Sequence, residues 1–363
     1  MRFIIPFLSL LHGLAHLLGF VKAFQPNVLP QFTRAIAKGS GLGWLLTALL
    51  FIAGGMMGLM SYPLTWSILI VAIFFSQALI ITTWVDAKYG TIPNVIILPW
   101  VIVGFATWNY HEKFNNDVDA NLAQHAYFTG DLLTQDDLNP LPELVQRYLH
   151  YTGMVGKPKV NNFRVDFTGK IRSREQGVWM PFTSRQYNFM QTPTRLFFLN
   201  AVMNDLPVVG YHHYIDGTAA MDIRLLSLFR VQYADGPDMN VAETVTFFND
   251  MCVMAPATLI DPRITWLESD SSTVKASFRS KDIAITATLF FDREGRLVNF
   301  ESFDRVNAEE NQRMRWTTPI REYAEINGLR LGVLAETVYS YPGEDFSYGE
   351  FRMINVAYNL KQP

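Results

Sequence analysis

Between Lys38 and Asp86 the chain carries no charged residue, and a straight helix of that length would be about twice as long as the hydrocarbon core of a bilayer is thick. The run must fold back. Ser61-Tyr62-Pro63 marks the place, because proline cannot continue a helix and tyrosine suits a membrane interface. Two spans result, at 41–60 and 64–84. A third uncharged run covers 92–110, after the turn from Asp86 to Gly90, and a fourth, first in the chain, lies between Arg2 and Lys22. Trp66, Trp84, Tyr89, Trp108 and Tyr110 fall near span ends, where amphipathic rings settle. The pattern predicts a four-helix transmembrane bundle over residues 1–110.

Residues 111–139 are polar and keep no period for long, so they read as a linker holding at most a short helix. Leu141, Leu144, Val145, Tyr148 and Leu149 then recur at helical spacing behind Pro142, which predicts an amphipathic helix opening a second domain at 140–363. Beyond it the period drops to two. Phe163, Val165, Phe167 and Ile171 alternate with Arg164, Asp166, Thr168 and Arg172, the signature of a strand with one buried face. Similar runs continue to residue 359, and Asp216-Gly217, Glu294-Gly295 and Asn327-Gly328 supply the chemistry of tight antiparallel turns.

One segment interrupts the strands. Residues 241–259 place Phe247, Phe248, Met251 and Met254 at helical spacing and end near Pro256 or Pro262. A largely apolar helix needs a surface to cover. The economical architecture is an α+β membrane protein: the transmembrane bundle, then a curved antiparallel β half-barrel of ten or so strands with plug helices in or across its concave side.

Charge sharpens the division. Residues 1–110 contain five Lys/Arg and a single acid, Asp86, whereas the remainder holds 25 basic and 32 acidic residues, so the net charge of −3 is +4 on the front and −7 on the back. A single soluble enzyme, a disordered chain and a nucleic-acid binder with a basic surface are excluded, and the lone Cys252 excludes a disulfide scaffold. Lys22, Arg34, Lys38 and Lys88 lie on one side of the four spans, against Arg2 and Lys113 on the other. The positive-inside rule assigns the four to the cytoplasm and the β domain to the extracytoplasmic side of the membrane. The first span resembles a signal peptide in having a basic residue before an apolar run, but Val21-Lys22-Ala23-Phe24 lacks the small-x-small cleavage pattern.

Candidate chemistry is sparse. His12 and His16 share one face of the first span, a spacing that serves a shared metal or haem, a proton or quinone path, or hydrogen bonds to neighbouring helices. The other three spans contain no histidine or cysteine to complete a ligand set, so no cofactor is assigned. His212 and His213 are adjacent on a strand and point to opposite faces. Glu301, Asp304 and Glu336 lie in apparent strands as potential acids or bases, and no nucleophile, phosphate-loop or zinc motif is present. Phe247, Phe248, Met251, Met254 and Trp266 are the candidate apolar ligand lining, or equally ordinary core.

A resemblance adds to this. The segments Leu141-Pro142, Arg147-Tyr148-Leu149, Tyr214-Ile-Asp-Gly217, Pro256-Ala257, Trp266 and Phe291-Asp292 with Gly295-Arg-Leu297 resemble a bacterial domain-of-unknown-function family of multi-pass membrane proteins with a C-terminal β domain. The order of elements is similar to the LolA/LppX lipoprotein-carrier superfamily, which implies a half-barrel with a cavity for acyl chains. The expectation is a membrane-tethered binding or carrier module for a lipid, a lipoprotein acyl chain or another apolar ligand, with an envelope protein as a further potential partner. The alternatives are an envelope-acting enzyme, redox through the membrane histidines or hydrolytic, and a structural assembly protein.

Overall fold

The computed structural model describes residues 3–124, 130–174, 177–307, 310 and 312–363. They fall into two compact units, Met1–Glu112 and Lys113–Pro363.

The first unit is built from α1 (Ile4–Phe24), α2 (Lys38–Leu59), α3 (Thr65–Thr82), the short α4 (Trp84–Ala87) and the first part of α5 (Thr91–Gln124). Among the described residues four helices are long and apolar enough to cross a membrane, by length and composition. α1 and α2 approach closely because glycine lines their seam: a Cβ on Gly13 would lie 3.0 Å from the Ala48 carbonyl oxygen, and one on Gly55 2.8 Å from that of Pro6. The predicted break at Ser61-Tyr62-Pro63 is present, with Ser61 in a left-handed conformation. At the other end, Asp86 accepts hydrogen bonds from Thr33 Oγ1 (2.8 Å) and the Arg34 backbone N–H (3.0 Å), tying the first and third connections together on one side of the helices.

The 111–124 stretch is helical rather than irregular. Phe114, Val118 and Leu122 repeat every fourth residue and are buried, an apolar row that carries α5 on through a polar composition. Phe114 packs against Tyr187, Phe198 and Tyr211. Residues 125–129 of the expected linker lie outside the described residues, as does Arg2. The linker's end carries α6 (Gln135–Leu138), with a capping box between Thr134 and Asp137.

The second unit continues with α7 (Glu143–Thr152), closed by a left-handed Gly153, and then β1 (Asn162–Ile171), β2 (Met180–Phe189), β3 (Thr194–Met203), β4 (Leu206–Ile215), β5 (Thr218–Leu225) and β6 (Phe229–Asp235). After α8 (Gly236–Met254) and a 3-10 turn at Pro256–Ile260 come β7 (Ile264–Ser269), β8 (Thr273–Ser280), β9 (Ile283–Phe291) and β10 (Leu297–Ser302). The remaining strands are the short β11 (Val306–Asn307), β12 (Gln312–Arg313) and β13 (Trp316–Thr317), then β14 (Ile320–Ile326), β15 (Leu329–Tyr341) and β16 (Glu344–Tyr358).

Thirteen strands form one antiparallel path, β6-β5-β4-β3-β2-β1-β16-β15-β13-β10-β9-β8-β7, with β14 beside β15. Both halves are meanders, and β1 joins them by pairing with β16 in the register Phe163 opposite Tyr358. Asp216-Gly217 and Asn327-Gly328 adopt the left-handed conformations their hairpins require. Bulges at Asp166/Phe167 and Thr337/Val338 bend the two central seams. The sheet is curled enough for α8 to touch both β5 and β9, which stand far apart in strand order, so the helix lies within the concavity. The described sheet has 14 strands where ten or so were expected; the run at 314–323 divides into β13 and β14, while β11 and β12 pair with each other in a separate two-stranded sheet.

Candidate functional site

The concave side of the half-barrel holds a cavity of about 290 Å³ between α8 and the inward-facing residues of the sheet. Strand alternation decides which side chains line it. Phe167, Phe197, Leu199, Val208, Met221 and Phe351 form an apolar wall, each on the inner face of its strand. His212 is on that face too, whereas its neighbour His213 points outward, beside Lys113 and Asp117.

α8 presents the opposite wall, and it is polar. Glu243, Thr246, Asn249, Asp250, Val253 and Met254 line the cavity and lie along one stripe of the helix at spacings of three and four. Phe247, Phe248 and Met251 lie on the other side, wholly buried in the hydrophobic core: Phe248 stacks on Phe278 at 5.3 Å between centroids and meets Phe300 edge-on, and Phe247 packs on Tyr214 and Phe278. Of the residues expected to line a ligand site, Met254 alone borders this cavity. Trp266 on β7 packs against the core away from it, and Trp316 on β13 lines it instead.

The stripe is held by a cation from the sheet. Arg195, on β3, donates from Nε to Asp250 Oδ2 (2.8 Å), from Nη1 to Glu243 Oε2 (3.0 Å) and from Nη2 to Gln186 Oε1 (2.9 Å). Asp250 Oδ2 also accepts from the side-chain amides of Gln186 (2.7 Å) and Asn188 (3.1 Å). Arg305 supplies a second guanidinium, 4.7 Å from the Trp316 ring centroid, with Nε donating to the Tyr339 hydroxyl (3.0 Å) and Nη1 to the Ala242 carbonyl (2.7 Å) and the Thr246 hydroxyl.

Ionisation follows from this crowding. Burial pushes the Glu243 carboxyl up, but Arg195, Arg305 and His212 more than offset it, leaving Glu243 below its ordinary range. At Asp250 burial outweighs Arg195 and the Asn188 amide, so its pKa stands raised. Burial lowers His212 to about 4, with Arg195 and Arg305 acting in the same direction against Glu243, so the imidazole is neutral at physiological pH.

The strand carboxylates considered as acids or bases are engaged elsewhere. Glu301 pairs with Arg315, Glu336 with Arg321, and Asp304 accepts from the backbone N–H and hydroxyl of Thr286. None of the three borders the cavity.

In the first unit His12 and His16 are buried and 4.5 Å apart between ring centroids. His12 Nε2 lies 3.0 Å from Asn94 Oδ1, and His16 Nε2 2.9 Å from Ser76 Oγ, while His16 Nδ1 donates to the His12 carbonyl at 2.9 Å. Asn94 Nδ2 in turn donates to Ser76 Oγ (2.9 Å) and Gln77 Oε1 (3.1 Å), giving a polar network that joins α1, α3 and α5. Among the described residues no group of three or more His, Cys, Asp or Glu side chains is placed to hold a metal ion.

Arg195, Gln186 and Asn188 on strands and Arg305 between β10 and β11 escape a reading of sequence pattern, because each is an unremarkable polar residue in its own segment. Their partners left a signal. Glu243, Thr246, Asn249 and Asp250 form a polar stripe through an otherwise apolar helix, and such a stripe in a buried helix must face either a polar network or a cavity.

A curled antiparallel half-barrel with an internal helix and a mainly apolar cavity has the form of a small-molecule binding domain. Residues 131–351 match DUF6544, a family of unknown function, and the chain belongs to that family. No curated protein matches the sequence.

Proposed function

We propose that this protein is a membrane-tethered binding or carrier module for a lipid, a lipoprotein acyl chain or another apolar molecule, held on the extracytoplasmic face of a bacterial inner membrane. The observation that carries the reading is the cavity itself: an apolar wall from β1, β3, β4, β5 and β16 facing a few convergent polar groups on α8, the composition usual for a ligand pocket. The order of elements along the sequence, similar to that of the LolA/LppX carriers, supports it. Four helices apolar and long enough to span a bilayer support tethering beside a source of lipid, and the basic residues of the first and third connections support the extracytoplasmic side. Glu243 and Asp250, the carboxylates at the cavity, each receive an N–H from Arg195, an arrangement that favours a supporting use over proton transfer.

Three experiments test this. Full-length protein extracted into a detergent-free polymer and examined by native mass spectrometry should retain an apolar molecule, and a fluorescent acyl probe should bind it in the micromolar range or tighter. Absence of both would overturn the binding role. For sidedness, an alkaline phosphatase fusion after Pro363 should be active and a green fluorescent protein fusion dark; the reverse pair would place the β domain in the cytoplasm.

A further inference from the structure

Asn249 is buried, 5% exposed, and on the cavity stripe of α8, yet its side-chain amide makes no hydrogen bond among the described residues; Oδ1 is enclosed without a partner. Thr318, 4% exposed and also lining the cavity, has a hydroxyl in the same condition. Arg305 lines the same cavity, and its hydrogen bonds among the described residues run through Nε and Nη1. Polar atoms buried in a native structure are nearly always paired, and each exception costs free energy that something must justify.

Charge at this wall is already matched. Arg195 and Arg305 face Glu243 and Asp250, so an added anion would enter against two buried carboxylates. The free groups are an amide and a hydroxyl, which give and take hydrogen bonds alike. Asn249 Oδ1 in particular calls for a donor.

We propose that Asn249 and Thr318, which line one cavity, form a recognition subsite for a neutral donor-bearing group, a hydroxyl or an amide, on an otherwise apolar ligand. The inference rests on the binding role proposed above and narrows the ligand class: an apolar skeleton whose buried part carries a hydroxyl or amide, in preference to a plain hydrocarbon or a carboxylate. The apolar wall of Phe197, Leu199 and Phe351 takes the skeleton, and the α8 stripe takes the polar group.

The test uses full-length protein in amphipol, wild type against Asn249→Leu and Thr318→Val. Displacement of a fluorescent acyl probe is followed with dodecanol, dodecane and dodecanoate, and because partition into the amphipol is common to all proteins, ratios between proteins isolate the site. Wild type should prefer dodecanol over the other two, and Asn249→Leu should weaken dodecanol by about tenfold while leaving dodecane nearly unchanged. Thr318→Val should act in the same direction. The ligand-free Asn249→Leu protein should melt about 2–4 °C higher than wild type, because an unpaired buried amide has been removed. A lowered melting temperature would mark Asn249 as structural and overturn the proposal. Equal displacement by all three compounds, or an unchanged dodecanol preference in both variants, would overturn it while leaving the binding role standing. No probe binding to wild type would defeat both.

Discussion

Arg195 Nε on β3 meets Asp250 Oδ2 on α8 at 2.8 Å, while the same guanidinium reaches Glu243, seven residues earlier on that helix, at 3.0 Å. One cation from the sheet thus clamps two carboxylates on one helix stripe. Such a buried network adds little net stability against an apolar replacement, but removing one member leaves charge uncompensated.

Arg195→Met is therefore expected to cost about 3–5 kcal/mol, because Glu243 and Asp250 would remain buried without their partner. The combined variant Arg195→Met, Glu243→Gln, Asp250→Asn should recover much of that loss. Denaturant midpoints of the three proteins decide it, and a triple variant no more stable than the single one would show that the network has another role.

The two sides of α8 should separate stability from binding. Phe248→Ala removes a ring from the core and should cost about 3–5 kcal/mol, leaving probe affinity per folded molecule unchanged. Met254→Ala, at the cavity, should cost less and shift probe affinity. Equal effects of both substitutions on affinity would argue against the division.

His212 should make the β domain sensitive to mild acid. Its folded pKa of about 4 lies below the ordinary 6.5, so between those values the unfolded chain binds more protons than the native one. Stability falls as pH drops from 6.5 towards 4 and this contribution levels off below, the total being of the order of a few kcal/mol. His212→Gln should flatten that part of the profile measured by thermal unfolding. An unchanged slope would assign the acid sensitivity to other groups.

His12 and His16 of the first unit should behave as packing residues. His12→Leu and Asn94→Leu remove two ends of one hydrogen bond, and a double-mutant cycle should return a coupling of about 0.6–1.7 kcal/mol. Additivity would mean that the contact contributes nothing. An optical haem signature lost on His12→Leu would revive a cofactor role.

Much of the architecture was legible along the chain because it depends on local periodicity. The uncharged runs with Pro63 between them define the helices of the first unit, and alternation with Asp216-Gly217 and Asn327-Gly328 defines most hairpins of the second. Where a rule of composition was applied to residues 111–124 it misread a helix, since the buried row Phe114, Val118 and Leu122 is spaced within polar sequence.

The functional wall was not legible in the same way. Apolar spacing in 241–259 shows that α8 has a face to bury, but it does not say which of two enclosed faces meets the core and which meets a cavity. That is decided by the seam between β1 and β16, residues almost two hundred positions apart, which curls the sheet around the helix. The curl sets Phe247, Phe248 and Met251 against Phe278 and Phe300, and turns Glu243, Asn249 and Asp250 towards Arg195 and the open space. Local pattern determined the elements because period and turn chemistry act between near neighbours. The cavity came only from tertiary structure, because a polar side chain on one strand carries no mark of the helix residue it will face.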